Sequence, residues 1–171
     1  MPRLKQEYEQ QGFYGIGLIH SVKDLNIGTL WRSAYILGAS FIFTVGNRYR
    51  TQGSDVTKSW LKIPLYHYDT MNALYDHLPH DTRLVAVEMA PQATPLKDFV
   101  HPPRAVYLLG NEQVGLPPGL LADCHAVVSL PGAFSLNVSV AGSLVMYDRI
   151  CKISHSLPQK STPVDLPSPA F

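Results

Sequence analysis

Three short segments carry residue types that can do chemistry. In the first, Asn26-Ile27-Gly28-Thr29-Leu30-Trp31-Arg32, a guanidinium interrupts an apolar helical stripe of Ile27, Leu30, Trp31, Ala34 and Tyr35. Helical side chains lean toward the helix N-terminus. Arg32 is therefore expected to lean over position 28, where glycine leaves space for the guanidinium or for a ligand beside it. The same spacing suits a surface arginine whose stem snorkels along apolar neighbours. In the second, Gly110-Asn111-Glu112-Gln113-Val114-Gly115-Leu116-Pro117, an apolar run feeds a glycine-flanked loop and then a helix start. Ligands of open α/β sheets sit beyond the carboxyl ends of strands, and glycine lets backbone approach them closely. A plain tight strand–helix turn would look the same. The third is Leu130-Pro131-Gly132-Ala133-Phe134-Ser135-Leu136-Asn137-Val138-Ser139-Val140-Ala141. There Ser135 and Asn137 stand at a helix start. They suit capping, or hydrogen bonding to a ligand or phosphate at the positive helix end.

Several site classes are excluded. The second segment is neither G-x-G-x-x-G nor a phosphate loop ending in G-K-[ST], and Gly15-Ile16-Gly17 lacks the third glycine. His67, His77, His80, His101 and His125 have no metal-ligand spacing and are expected to be structural or solvent-facing, so no metal is expected. Cys124 and Cys151 read as two reduced thiols of a cytoplasmic protein.

Positioning the three segments requires an element pattern. The 171 residues fit one domain at about 150 residues per domain. Such a chain buries roughly 68–70% of its unfolded surface without a disulfide or metal staple. Hydrophobic residues at 46% and charged residues at 16% exclude a disordered or coiled-coil chain. A net charge of +1 excludes a polycationic tail and leaves a basic face possible. Residues 13–19, 41–45, 84–87, 105–109 and 126–130 read as buried strands, and 63–68 as a short one. Helices are expected over 26–38, with Asn26 as N-cap and Gly38 just past the end, and over 70–78, 117–124 and 138–153. The last is apolar nearly all round, so it is expected to be buried on most sides, a dimer interface being one route. The alternation predicts a single α/β domain over residues 1–153, with a mostly parallel sheet and helices on both faces. Residues 154–171, with Pro158, Pro163, Pro167 and Pro169, are expected to be a disordered tail. Residues 126–147 are uncharged and long enough to cross a bilayer. Pro131, Gly132, Asn137, Gly142 and four serines break such a helix, so a strand, a turn and a helix are expected, and no membrane partner. Residues 1–11 have no apolar run, so no secretory leader is expected.

Together and in this order, the three segments resemble the SpoU-type (TrmH-type) branch of the SPOUT superfamily of RNA methyltransferases. The matching patterns are the N-x-G-x-x-x-R helix start, the G-x-E-x-x-G-L-P loop and the S-L-N-V-S-V-A segment, spread over residues 26–141. The resemblance implies a C-terminal deep trefoil knot that forms an S-adenosylmethionine pocket. Elementary topology would not suggest a knot, since knots are nearly absent from proteins. The resemblance also implies a homodimer with sites at the interface. The implied reaction moves a methyl group from S-adenosylmethionine to a ribose 2′-hydroxyl of structured RNA and leaves S-adenosylhomocysteine. No separate RNA-binding segment is visible, which favours tRNA. The alternatives are rRNA as substrate, or a non-catalytic RNA-binding relative. By the same resemblance Arg32 is the base or base-positioning group, set by Asn26 and Glu112, while Ser135 and Asn137 lie near cofactor and phosphate. Val87, Glu88, Leu109, Gly110, Leu130, Ser135, Leu136 and Val140 would line the cofactor. Arg48, Arg50 and Lys58, the densest basic stretch in a predicted loop, are the candidate RNA contacts. A guanidinium with a pKa above about 12 is a poor base. Arg32 is thus expected to orient the 2′-hydroxyl and a phosphate. The step from Leu130 to Ser135 is shorter than in many relatives, which implies a shorter cofactor loop.

Overall fold

Short runs of β-branched and aromatic residues become strands, and those inside the sheet are buried on both sides, as a covered parallel sheet requires. In the computed structural model, which describes residues 12–21, 23–49, 61–111, 113–154 and 157–158, these are β1 (Phe13–Ile19), β2 (Phe41–Val45), β3 (Leu65–Tyr68), β4 (Arg83–Val87), β5 (Thr94–Pro95), β6 (Arg104–Leu109) and β7 (Ala126–Ser129). They form one seven-stranded sheet in the order β3-β2-β1-β6-β4-β7-β5. Every pairing is parallel, with Gly17 of β1 between Phe43 of β2 and Leu108 of β6. The helices are α1 (Asp24–Ile36), α2 (Met71–His77), α3 (Pro118–Asp123) and α4 (Val138–Lys152).

Alternate strand residues feed two cores. Ile16, Leu18, Tyr107 and Leu109 pack with Leu30 and Ala34 of α1 and Val145 and Met146 of α4. Phe43, Val45, Leu84 and Leu108 pack with Leu74 of α2 and Leu120 and Leu121 of α3. Helices therefore cover both faces, as expected. Gly142 lets α4 come close: a Cβ there would lie 2.6 Å from Leu30 Cδ1. Thr70 caps α2 by accepting from the Ala73 amide at 3.2 Å, and Gly38, at φ +82°, ends α1 as expected.

The start of α1 differs from expectation. The helix begins at Asp24, with Lys23 at the N-cap, so Asn26 does not cap it. Asp24 in the first turn suits the positive helix end, and Asn26 is buried in that turn. The pair β5 with the 3₁₀ turn Leu96–Asp98 was not foreseen. Two residues carry no alternation signal, and a proline there is tolerated at a sheet edge. Among the described residues no helix is long and apolar enough to cross a membrane. Residues 126–147 become β7, a bend and most of α4. The Pro-rich segment lies outside the described residues, apart from 154, 157 and 158.

The last turns of α4 carry a buried polar network that its apolar pattern hides. Arg149 is 2% exposed. Its guanidinium donates to the Pro102 and Pro103 carbonyls at 2.6 and 2.8 Å and to the Tyr107 hydroxyl at 3.1 Å, and it lies 5.0 Å from the Tyr14 ring centre. Lys152 donates to Asp148 at 2.8 Å and to the Leu96, Lys97 and Phe99 carbonyls. His101, whose side chain is fully buried, bridges Tyr107 at 2.6 Å and Asp148 at 2.8 Å. These partners assign its tautomer. Burial pushes the Tyr107 phenol up to about 12, so it stays protonated and donates to Nδ1, while Nε2–H donates to Asp148. A second ring proton would leave the phenol hydrogen without an acceptor.

Burial accordingly lowers the His101 pKa below the ordinary 6.5, the Asp148 carboxylate opposing it only in part. A depressed imidazole pKa contributes stability that is full above about 6.5 and is lost as pH falls toward the folded value. The gap in melting temperature between the wild type and His101→Gln is therefore expected to be widest near pH 7.5 and to narrow toward pH 5. Thermal scans across that range check it.

Candidate functional site

The carboxyl ends of β4, β6 and β7 open on one cavity of about 290 Å³. Val87, Leu109 and Leu130 at the strand ends, with Val138 and Ala141 from the first turn of α4, line it, and Gly110, Asn111, Gly115, Phe134, Ser135 and Leu136 also border it.

The loop after β6 is closed by local chemistry. The Asn111 carbonyl accepts from the Gly115 amide at 2.8 Å, and its side-chain oxygen accepts from Gln113 N at 2.7 Å. Its amide donates to the His20 carbonyl at 2.6 Å. This ties the loop to the end of β1, where His20 has φ +49°. Gly115 sits at φ +68°, and a Cβ on Gly110 would collide with the Gly115–Leu116 backbone. Both glycines are thus required by the turn itself.

Asn137 organises the start of α4. Its oxygen accepts from the amides of Ser139 (3.0 Å) and Val140 (3.4 Å) and from the Ser139 hydroxyl at 2.6 Å. Its amide donates to Asn26 Oδ1 at 3.0 Å. The first and third segments, 111 residues apart, therefore meet through one side-chain bond, and Asn26 is 5% exposed.

Arg32 is placed differently from expectation. It is exposed on α1, away from the cavity wall, and nothing of it reaches the space above Gly28. That space faces the Tyr49 hydroxyl, 3.5 Å from where a Cβ would sit, and Tyr49 packs edge-on against Trp31. Glu112, Arg50 and Lys58 lie outside the described residues. Arg48 is exposed and pairs loosely with Asp69 at 3.6 Å. Val87, Glu88, Leu109, Gly110, Leu130, Ser135 and Leu136 all border the cavity. Val140 does not: it is 47% exposed on the outer side of α4. Val138 and Ala141 take its place, and helix phase counted from the Asn137 cap could have identified them. The Ser135 hydroxyl finds a thioether, Met89 Sδ, at 3.9 Å. Among the described residues no three His, Cys, Asp or Glu side chains could hold a metal, and the buried His101 is absorbed by the network under α4.

Asn137→Ala removes the α4 cap, worth about 1–2 kcal/mol, and the bond to Asn26. A fall of roughly 2–4 °C in melting temperature per kcal/mol is expected. A double-mutant cycle with Asn26→Ala is expected to give a coupling of at least about 0.5 kcal/mol. Denaturant titration checks it.

A model of the SpoU rRNA Methylase family matches residues 16–147. A mouse tRNA (guanosine(18)-2′-O)-methyltransferase is 28% identical over 135 residues, covering 74% of this chain and 8% of its own length. The Escherichia coli K12 enzyme described in the same words is 26% identical over 134 residues, covering 74% of this chain and 58% of its own. This chain thus spans less than two thirds of either relative. The crystal structure of an AdoMet-bound rRNA methyltransferase from Sinorhizobium meliloti superposes with a TM-score of 0.72 at 25% identity. It covers 83% of this chain and 57% of that one.

Proposed function

This chain belongs to the SpoU rRNA Methylase family, and we propose that it is an S-adenosylmethionine-dependent RNA 2′-O-ribose methyltransferase acting on tRNA in the cytoplasm. The observation that carries this reading is the cavity at the ends of β4, β6 and β7, built from the second and third segments. At about 290 Å³ it lies near the lower end of the roughly 300–1,000 Å³ range of small-molecule sites. Apolar Val87, Leu109, Leu130, Val138 and Ala141 suit an adenosine face. The backbone of Gly110, Asn111 and residues 113–115 offers polar groups at the rim, with no side chain at Gly110 or Gly115 to hold a ligand off. The Sinorhizobium relative holds S-adenosylmethionine by name, and the mouse and E. coli relatives are tRNA 2′-O-methyltransferases by name. That cofactor supplies an electrophilic methyl on a sulfonium. The chain's own part is to orient the acceptor. Arg32 presents a planar fork of donors suited to phosphate and hydroxyl oxygens. Correct placement of two reactants is worth roughly 7–11 kcal/mol at best. rRNA is the second reading, favoured by the Sinorhizobium relative, an rRNA methyltransferase by name.

We further propose a homodimer in which Arg32 serves the partner's cavity. Arg32 and the cavity lie apart within one chain. The helices α1, which carries Arg32, and α4, which packs against it, expose Leu25, Ile36, Val140, Leu144 and Tyr147, each 41–66% exposed. A second copy, with the same self-complementary patch, is the occupant that brings guanidinium and cavity together. The C-terminal knot implied by the resemblance is likewise proposed. It is supported by the β4–β6 connection, whose five carbonyls clasp Arg149 and Lys152 at the end of α4.

Labelled methyl transfer from S-adenosylmethionine to separated tRNA and rRNA, followed by nuclease digestion, tests the activity. Label in a 2′-O-methyl nucleotide of tRNA is expected; label in rRNA alone would select the second reading. Arg32→Ala is expected to lower turnover by about 100-fold or more while S-adenosylhomocysteine affinity stays within about threefold. For the dimer, Leu144→Asp is expected to sediment as a monomer and to lose methyl transfer. A wild type that sediments as a monomer at micromolar concentration would overturn it.

A further inference from the structure

We propose that Glu88 is a positioning residue: its carboxylate straps the Gly115–Leu116 end of the loop after β6 across the cavity wall and thereby sets the affinity for S-adenosylmethionine. The proposal rests on the reading of the cavity as that cofactor's site. Glu88 directly follows β4, and its root is fixed because its amide donates to the Val128 carbonyl at 3.0 Å. Its Oε2 accepts from the Leu116 amide at 2.7 Å, and its Oε1 accepts from the Met89 amide at 2.9 Å. Hydrogen bonds to an ionised acceptor are among the stronger ones in a protein.

The bond to Leu116 cannot be replaced cheaply. Leu116 is 5% exposed, so without Glu88 its N–H would be a buried donor with no partner, and the loop would have to shift to reach water. Gly115 reports how tightly the carboxylate is seated, since a Cβ there would come within 2.5 Å of Oε2. The absence of a side chain at 115 therefore serves the carboxylate as well as the positive φ. The loop has another tie, Asn111 to the His20 carbonyl, but that one lies toward β1. The bond from Glu88 joins two stretches that both border the cavity.

A strap acts by geometry, so it makes a demand on side-chain shape. Glutamine keeps the reach and one acceptor oxygen for Leu116 N. Aspartate keeps the charge and is one methylene too short. The experiment is calorimetric titration of the full chain with S-adenosylhomocysteine, alongside amide hydrogen exchange at Leu116 and steady-state kinetics, for the wild type, Glu88→Ala, Glu88→Gln and Glu88→Asp. Glu88→Ala and Glu88→Asp are expected to bind about tenfold more weakly or worse. They are also expected to exchange the Leu116 amide faster and to raise KM for S-adenosylmethionine while kcat stays within about threefold. Glu88→Gln is expected to restore all three. Unchanged affinity in Glu88→Ala overturns the strap. So does Glu88→Gln binding as weakly as Glu88→Ala while Leu116 stays protected, because charge and not geometry would then be at work. A wild type that fails to bind S-adenosylhomocysteine overturns instead the cofactor reading on which the proposal stands.

Discussion

A guanidinium that is 2% exposed must be given acceptors by the chain, because an unpaired buried charge is not tolerated. Arg149 finds them in the carbonyls of Pro102 and Pro103 and in Tyr107. Those two carbonyls precede β6 and are open to a donor from outside the sheet. Lys152 does the same for three carbonyls further back in the connection. Side chains near a helix C-terminus thus fix a long, otherwise irregular segment, and that segment fixes the helix. The seat of α4 follows, and with it the contact of Gly142 with Leu30 that draws α1 and α4 together.

The cavity is a consequence of that seating at the other end of the same helix. With α4 anchored at Arg149, its first turn is delivered to the carboxyl ends of β4, β6 and β7, and Val138 and Ala141 become wall. Asn137 then uses its oxygen on its own helix and its amide on Asn26, so α1 and α4 start from one fixed point. Parallel strands end on the same side, which is why three loops distant in sequence reach one small volume. Among the described residues, none in those loops contributes a long buried side chain to the cavity. What they contribute is backbone held at defined spacing, and that is what the glycines at 110 and 115 make possible.

Much of this was legible in the sequence because it is local. β1 and β2 are recovered residue for residue, since a short apolar run bounded by polar turns has one reading. Gly38 and Thr70 mark helix ends through chemistry within a few residues. What escaped is long-range. Asn26 has the residue type of a cap, and only the arrival of α4, 111 residues later in the chain at Asn137, gives it another task. Arg32 is expected over Gly28 by helix geometry, yet it is Tyr49, arriving from the loop after β2, that faces that space. His101 and Arg149 look like unremarkable polar residues until the 96–104 connection and α4 are brought together. Glu88 is legible only as a residue lining the cofactor, and its carboxylate's task is not, because its partner Leu116 is 28 residues away.

The setting of Arg32 is informative for the same reason. It is exposed on α1, which also exposes Leu25 and Ile36, while α4 exposes Val140, Leu144 and Tyr147, and among the described residues no carboxylate pairs with it. Apolar side chains at this density mark a surface that another surface covers. The cores of such interfaces are poor in charge, with arginine the exception. An arginine covered without an acid beside it needs an anion from elsewhere. On the proposed reading the RNA phosphate is that anion, delivered beside the partner's cavity. The guanidinium would then be desolvated and fully paired only with both the second copy and the substrate in place. A carboxylate partner within the chain would have stabilised the free protein and occupied the donors that the substrate needs. With none of the described carboxylates on it, Arg32 would on this reading give up a little stability of the lone chain for binding energy that appears when the reacting groups are assembled.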